Sequence, residues 1–171
     1  NPISGVRLLG TSIYSNSSIG IELGNNGITN NDAAPDSDTG ANNLQNFPAL
    51  TSANATAAGT TIVGTLNSNA STTYRIEFFA NTAQDGSGHG EGQTYLGSAL
   101  VQTDGNGDAT ISTTLTANVA AGSFISATAT QTNAGETAHT NTSECARNVY
   151  ALALAQGALV VDTTNDVVDG D

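Results

Sequence analysis

The sequence predicts an all-β protein whose main unit is an antiparallel β-sandwich, and three observations lead to that fold class. First, Ser and Thr account for 40 of the 171 residues, whereas strong helix formers are scarce, with no Met and only three Lys and Arg together. Second, runs of Val, Ile, Thr and aromatic residues alternate with turn sequences rich in Gly, Asn and Asp. Third, six or seven such runs follow one another from residue 59, which is the spacing typical of a sandwich.

The first segment, residues 1–30, has a different pattern from the rest of the chain. Its short apolar stretches, VRLLG, SIYSN and GIELG, are separated by Asn, Ser and Gly at tight spacing. This pattern is typical of stacked rungs of a solenoid, in which each short strand pairs only with its neighbours. Because two rungs cannot bury a core by themselves, we expect this segment to lean on another unit.

A polar connection, residues 31–46, follows this segment and is rich in Asn and Asp. The sequence FPALTSA then leads into the next unit. We therefore divide the chain into a cap segment with an acidic exit loop (1–46), the sandwich (47–157) and a further strand with an acidic end (158–171). We expect the exit loop to be an ordered junction between cap and sandwich. The last strand is surplus, because the sandwich is complete without it.

The strands of the sandwich are predicted from their alternation and from the turns between them. They are GTTIVGTLN, TTYRIEFFAN, QTYLGSALVQT, GDATISTTL, SFISATATQ and NTSECARNVYAL. Tyr74, Ile76 and Phe78 alternate with polar positions, and TDGNGD is a strong hairpin signal. The predicted core residues are Ile62, Leu66, Ile76, Phe78, Leu96, Leu100, Ile111, Leu115, Ile125 and Ala127.

The charge of the chain limits the partners that it can bind. Three arginines, no lysine and fifteen acidic residues give a net charge of −12. Nucleic acid is excluded, because its phosphates must be neutralised by Lys and Arg, and anionic lipid is disfavoured for the same reason. No apolar run is long enough to span a bilayer, so membrane insertion is not expected.

Composition also indicates where the protein is found. Abundant Ser, Thr, Asn and Gly on short strands are typical of secreted or cell-surface β proteins. Residue 1 opens in mid-pattern with neither Met nor a signal peptide, which indicates a mature or excised piece of a longer protein. The single cysteine, Cys145, has no partner for an internal disulfide, and burial on a strand is favoured over pairing between molecules.

One stretch has the character of a metal-binding loop. Asp32, Asp36, Asp38 and Asn42 supply hard oxygen ligands, and Gly40 allows a turn between them. Calcium takes six to eight oxygens, so such a loop is a candidate Ca²⁺ site, although it lacks the bidentate Glu of an EF-hand. The alternative is a solvated loop whose Asp and Asn side chains cap their own backbone.

A nucleophilic dyad has only weak support. His89 and His139 are the two histidines, and His139 lies six residues before Cys145 on one predicted strand. Two side chains at that spacing need not face each other, and no third group is present to orient the base.

Acid–base catalysis has no better support. Glu77, Glu91 and Glu144 are carboxylates of the kind that glycoside hydrolysis uses, but nothing in the sequence brings them together. Four Tyr, four Phe and no Trp leave few side chains for a sugar-binding platform. We therefore expect no enzymatic activity.

Several stretches together resemble known bacterial surface proteins. Residues 10–50, from GTSIYSNSSIGIELG to NNLQNFPAL, resemble the closing rungs and exit loop of right-handed parallel β-helix proteins. GTLNSNASTTYRIEFFAN, GEGQTYLGS and FISATATQTNAGETAHTNTSE resemble the bacterial Ig-like domain that often follows, and ALVVDTTNDVVDGD resembles the opening strand of the CSLREA domain. The resemblance implies an Ig-like sandwich behind a β-helix-like cap, in large secreted or cell-surface proteins, and it implies no reaction.

The function expected from these observations is a structural or adhesive extracellular module. Its partners would be other copies of itself or neighbouring domains, and the stretch ALVVDTT (158–164) would add as a strand to residues 1–30 of the next molecule and build a filament. The single-molecule alternative is that the tail folds back onto its own cap. The alternative is an accessory carbohydrate-binding module of a polysaccharide-active protein, with glycans as its partners.

Overall fold

The computed structural model describes residues 3–153 and confirms the all-β class. The only helical segment among these residues is a short 3-10 turn, Ala41–Leu44. The strands are β1 (Ala49–Thr56), β2 (Gly59–Asn67), β3 (Thr73–Asn81), β4 (Thr94–Gln102), β5 (Asp108–Leu115), β6 (Phe124–Thr132), β7 (His139–Thr142) and β8 (Val149–Ala153). No described residue belongs to a helix long and apolar enough to cross a bilayer.

The eight strands form one mixed sheet in the order β4-β3-β6-β8-β1-β2-β5, with β7 also paired to β6. Strand β8 joins the two halves of the sheet, because it runs antiparallel to β6 and parallel to β1. The two end strands, β4 and β5, are in contact, so the sheet curls nearly into a barrel. The sandwich of purely antiparallel strands is therefore not confirmed in detail.

The turn TDGNGD forms, but the hairpin that it predicted does not. Asp104 accepts the backbone N–H groups of Asn106 and Asp108, which closes the turn. Strand β4 pairs with β3 and β5 pairs with β2, so the chain crosses here between the two halves of the sheet. The reason lies in the flanking bonds: Thr103 donates to Thr72, before β3, and Gly107 accepts from Ser68, after β2.

The core lies between the two halves of the sheet. Eight of the ten predicted core residues are buried there: Ile62, Leu66, Ile76, Phe78, Ile111, Leu115, Ile125 and Ala127. Tyr74 and Ala151 join the same cluster, the first from β3 and the second from β8. Leu96 is only partly buried and packs against the edge of the cluster.

The prediction for Leu100 was wrong, because a β-bulge changes the alternation along β4. Phe78 lies opposite Gly97 and Phe79 lies opposite Tyr95, so Leu96 is an extra residue in the ladder. Beyond a bulge, the residues that face the core shift by one position. Leu100 therefore points to the solvent and is 43% exposed.

The predicted strand NTSECARNVYAL is split into β7 and β8. Thr142 pairs with Thr130 of β6, and Val149 pairs with Ile125 of β6. Between these two pairs the chain advances by seven residues, whereas β6 advances by only five. The two extra residues bulge out of the ladder and end the first strand. Strand β1 was not among the predicted strands, although FPALTSA was expected to lead into the sheet.

The solenoid rungs predicted in residues 1–30 are not seen among residues 3–30, because this part of the chain contains no strand. Their one β-bridge joins Ile13 to Gly92. Residues 3–30, here called the strap, cross the outer side of β3, β6 and β7, the side away from the core. Leu8, Ile13 and Ile21 of the strap face Phe79 across a small apolar cavity. The strand predicted at 158–171 lies outside the described residues.

Candidate functional site

Glu77 of β3 is enclosed between the sheet and the strap. Only 1% of it is exposed, because it points to the outer side of the sheet and the strap covers it. Its Oε2 atom accepts the backbone N–H of Gly10 at 2.7 Å, and its Oε1 atom accepts the Nε–H of Arg75 at 2.9 Å. A guanidinium and a backbone donor therefore compensate the buried charge together.

Arg75 links Glu77 to the surface of the sheet. Its Nη1 atom donates to Glu136 at 2.6 Å, and its Nη2 atom donates to the hydroxyl of Tyr95 at 3.0 Å. Burial alone would lower the pKa of Arg75, but the hydrogen bonds to Glu136 and Glu77 outweigh burial and raise it. Arg75 is therefore a permanent cation that holds two carboxylates.

Glu144 binds the strap at a second place. It follows β7 and is 1% exposed. Its Oε1 atom accepts the N–H of Leu23 and its Oε2 atom accepts the N–H of Thr29, each at 2.9 Å. Both oxygens of a buried carboxylate are thus used to hold two backbone groups that lack a β-ladder partner.

Glu91 binds the strap at a third place, near the surface. It lies in the loop between β3 and β4 and accepts the N–H of Ser15 at 2.7 Å and of Asn16 at 3.0 Å. The neighbouring bridge between Gly92 and Ile13 fixes the same part of the strap. We call Glu77, Glu91 and Glu144 the carboxylate clamps.

The clamps were noted in the sequence only as possible acid–base groups, and their role toward the strap was missed. One signal was available in TYRIEFFAN, because Glu77 and Phe79 share the outward face of β3. A large apolar side chain on an outward face indicates that something covers that face. Which part of the chain covers it was not readable from the strand.

The acidic residues of the exit loop come together as predicted for three of four positions. One carboxylate oxygen from each of Asp32, Asp36 and Asp38 lies within 4.8 Å of the others. Asn42 makes its hydrogen bonds elsewhere: its oxygen accepts the N–H of Val6, and its nitrogen donates to the carbonyls of Val6 and Thr142. The amide of Asn42 is thus used to attach the strap to β7.

Asp36 is the buried member of the acidic cluster, with 4% of its surface exposed. Its Oδ2 atom accepts three hydrogen bonds, from the Ser68 hydroxyl at 2.6 Å, the Asn46 N–H at 3.1 Å and the Gln45 side-chain amide at 3.2 Å. Its Oδ1 atom is also buried but has no hydrogen-bond partner within the part of the chain that the structure describes.

The electrostatic state of Asp36 reflects this position. Burial raises the pKa of Asp36, and the hydrogen bonds from Ser68 and Asn46 only partly oppose that effect. The neighbouring charges of Asp32 and Asp38 raise the pKa further. The carboxylate is thus held where its negative charge is unfavourable.

Cys145 and the histidines form no catalytic arrangement among residues 3–153. Cys145 is buried, and burial, with the charges of Glu144 and Glu91, raises the pKa of its thiol to about 12. The Nδ1 atom of His89 lies 3.1 Å from the carbonyl oxygen of Cys145, not from its sulfur. Among the described residues, His139 makes no hydrogen bond to Cys145. A neutral, enclosed thiol is a poor nucleophile.

Three tyrosines are exposed, and two of them lie on strands that are not neighbours in the sheet. Tyr14 lies on the strap, Tyr95 on the edge strand β4 and Tyr150 on β8. In the sheet, β3 and β6 stand between β4 and β8. Tyr150 is paired with Phe124 of β6, with ring centroids 4.8 Å apart.

Comparison with known proteins gives no family for this chain. No protein-family model matches the sequence, and no curated protein sequence matches it. The resemblance to β-helix and Ig-like surface proteins therefore stays a prediction, and function is argued from the clamps, the acidic cluster and the exposed side chains.

Proposed function

We propose that this chain is a non-enzymatic structural or adhesive module of an extracellular protein. The observation that supports this proposal is the use of the carboxylate clamps. Glu77, Glu91 and Glu144 are the side chains best suited to acid–base chemistry, and each accepts backbone N–H groups of the strap. A carboxylate committed to two donors is a poor proton-transfer group, because both oxygens must stay in place to hold the chain.

The clamps fit a module that must keep its first segment attached. The strap has no β-ladder with the sheet beyond one bridge, so its backbone donors depend on side-chain acceptors. A segment tied at several places along its length, three of them the carboxylate clamps, resists peeling, because one bond can open while the others hold. This arrangement suits a module placed between other extracellular domains, where the chain is pulled at its ends.

A comparison of stability with activity tests the proposal. We expect Glu91→Gln and Glu144→Gln to lose stability and to speed amide exchange in the strap, with no polysaccharide hydrolysed by the wild type or either variant. A panel of plant and bacterial polysaccharides, assayed for reducing ends, provides the readout. Hydrolysis by the wild type that Glu91→Gln abolishes at unchanged stability would identify an enzyme and contradict the proposal.

Other copies of the chain, or neighbouring surface domains, are the proposed partners. The filament hypothesis places ALVVDTT (158–164) against residues 1–30 of the next molecule, and this segment lies outside the described residues. Sedimentation velocity of the full chain and of a chain without residues 157–171 tests it. Assembly that the deletion abolishes supports strand addition, whereas a monomer at high concentration contradicts it.

The carbohydrate-binding alternative has one observation in its favour. Tyr150 is 57% exposed, stacks at an angle on Phe124 and lies two residues from Leu152, which is also exposed. An exposed aromatic surface of this kind is what a sugar ring stacks on. Titration with oligosaccharides, comparing Tyr150→Ala with Tyr14→Ala as the control, separates the two functions: saturable binding lost only in Tyr150→Ala would favour the alternative.

A further inference from the structure

We infer that Asp32, Asp36 and Asp38 form a binding site for a divalent cation, and that this site prefers Ca²⁺. The first observation is an uncompensated charge. Three carboxylate oxygens lie within 4.8 Å of one another. The ion pairs found in residues 3–153 join Arg75 to Glu77 and Glu136, and no ion pair reaches this cluster.

The second observation is the unpartnered oxygen of Asp36. The Oδ2 atom is occupied by three donors, from Ser68, Asn46 and Gln45, whereas Oδ1 is buried and receives no donor from residues 3–153. Buried polar atoms are almost always partnered, so a buried carboxylate oxygen without a donor indicates a missing ligand. Where Asp32, Asp36 and Asp38 are all ionised, three acceptor oxygens lie close together, and one shared cation would satisfy them at once.

The surrounding hydrogen bonds hold Asp32 and Asp36, two of the three acidic residues, in place. The Asn46 oxygen accepts the N–H of Asp32 at 3.2 Å, and the Asn46 nitrogen donates to the carbonyl of Asp32 at 3.1 Å. The Ala34 N–H donates to Asn67 at 2.9 Å, which ties the middle of the loop to the end of β2. Ligands that are held by a second layer of hydrogen bonds bind a metal ion without reordering the loop.

The chemistry of the donors favours Ca²⁺ over Mg²⁺ and over softer metals. All three donors are carboxylate oxygens, and no His or Cys belongs to the cluster. Calcium accepts irregular sets of six to eight oxygens and completes them with water, whereas Mg²⁺ demands near-ideal octahedral geometry. The cluster lies on a loop, with Asp36 buried and Asp32 and Asp38 more exposed, so it offers the irregular set of oxygens and the access to water that suit Ca²⁺.

The cluster is connected to the core through Ser68. The Ser68 hydroxyl donates to Asp36 and also lies 2.8 Å from the Tyr74 hydroxyl, and Tyr74 is fully buried. An ion bound at Asp36 would therefore stabilise the end of β2 and the start of β3 as well as the loop. The chain has no Trp, so Tyr74 also gives an optical probe: a bound Tb³⁺, which replaces Ca²⁺, is sensitised by a nearby tyrosine.

The experiment compares the full chain, freed of metal with EDTA, with its Asp36→Asn and Asp38→Asn variants. We expect Ca²⁺ to raise the melting temperature of the wild type and to displace bound Tb³⁺, which lowers the Tb³⁺ luminescence. We expect Asp38→Asn to weaken Ca²⁺ binding roughly tenfold or more. Asp36→Asn should lose the response to Ca²⁺ while remaining folded, because the amide oxygen still accepts the bond from Ser68.

The matched control is Asp104→Asn, in a turn whose alternate oxygens resemble those of the cluster. Asp104 already accepts the N–H groups of Asn106 and Asp108 and has no buried unpartnered oxygen, so this variant should bind Ca²⁺ as the wild type does. A melting temperature that is the same in EDTA and Ca²⁺ would overturn the inference. So would an equal loss of binding in Asp104→Asn, since that would show attraction by net charge alone. An equal response to Mg²⁺ would overturn the preference for Ca²⁺.

Discussion

Replacing Glu144 by Gln tests the hydrogen bonds that hold the second half of the strap. The carboxylate accepts the N–H groups of Leu23 and Thr29, one on each oxygen, at 2.9 Å. Glutamine has the same shape but only one oxygen. One of the two N–H groups must therefore face the amide nitrogen, which is itself a donor.

The expected change in the free energy of unfolding combines the loss of one hydrogen bond with the removal of one buried charge. A hydrogen bond to a charged group contributes about 1.5–3 kcal/mol, and a buried donor left without a partner costs about 1–3 kcal/mol. The neutral amide also removes the cost of burying a carboxylate without a nearby cation, which opposes this loss. We expect the free energy of unfolding to fall by about 2 kcal/mol.

Two measurements check this prediction. Urea denaturation followed by tyrosine fluorescence gives the change in the free energy of unfolding. Amide exchange by NMR should show Leu23 and Thr29 exchanging about 30-fold faster, which is what 2 kcal/mol of local opening produces. The control is Glu22→Gln, an exposed strap residue that holds only the N–H of Gly27, and it should change stability by less than about 0.5 kcal/mol. Equal effects of the two variants, or unchanged exchange at Leu23, would refute the role of Glu144.

Three further predictions concern the core, the acidic cluster and a turn. Phe78→Ala should cost about 3–5 kcal/mol in urea denaturation, whereas Leu100→Ala, on the solvent side of the bulge, should cost less than about 0.5 kcal/mol. The pKa of Asp36 is raised in the folded chain, so the folded state binds the proton of this carboxyl more tightly than the unfolded state does. Asp36 therefore favours folding at low pH, and this contribution to the free energy of unfolding is lost as the pH rises from the ordinary value of 3.8 through the raised pKa. In EDTA, the urea midpoint of Asp36→Asn should therefore exceed that of the wild type by a margin that grows with pH, and a constant margin would contradict the burial argument. Gly107→Ala should destabilise the chain by about 1–3 kcal/mol, because φ is +87° and a Cβ atom would meet the backbone of Ser68; an unchanged melting temperature would mean that this turn is free to move.

Strands β2 and β3 were predictable because their signals are local. Alternation in GTTIVGTLN and TTYRIEFFAN, with Gly and Asn at the turns, depends only on neighbouring residues, and β2 and β3 follow these stretches closely. The bulge that displaced Leu100 also had a local signal, because Gly97 inside an apolar strand indicates a bulge or a close approach. Its φ of +141° is in the region that favours glycine.

The strap was not predictable in the same way, because its contacts are not local. Leu23 and Thr29 are held by Glu144, more than 110 residues away in sequence. Short apolar stretches separated by Asn and Gly fit solenoid rungs and a draped segment equally well until the acceptors are known. The cluster of Asp32, Asp36 and Asp38 was readable from spacing, whereas the burial of Asp36 depends on Gln45, Asn46 and Ser68 around it.

The clamps and the acidic cluster follow from one property of the sequence, its shortage of cations. The chain has three Arg and no Lys against fifteen acidic residues, and the ion pairs found among residues 3–153 reach only Glu77 and Glu136. Glu77 is compensated by Arg75 and a backbone donor, and Glu144 is compensated by two backbone donors alone. At Asp36 the donors found among the described residues reach only one of the two oxygens. The shortage of cations in the chain thus makes the exit loop a place where a cation from outside the chain is favourable, and stability in Ca²⁺ compared with stability in EDTA tests this.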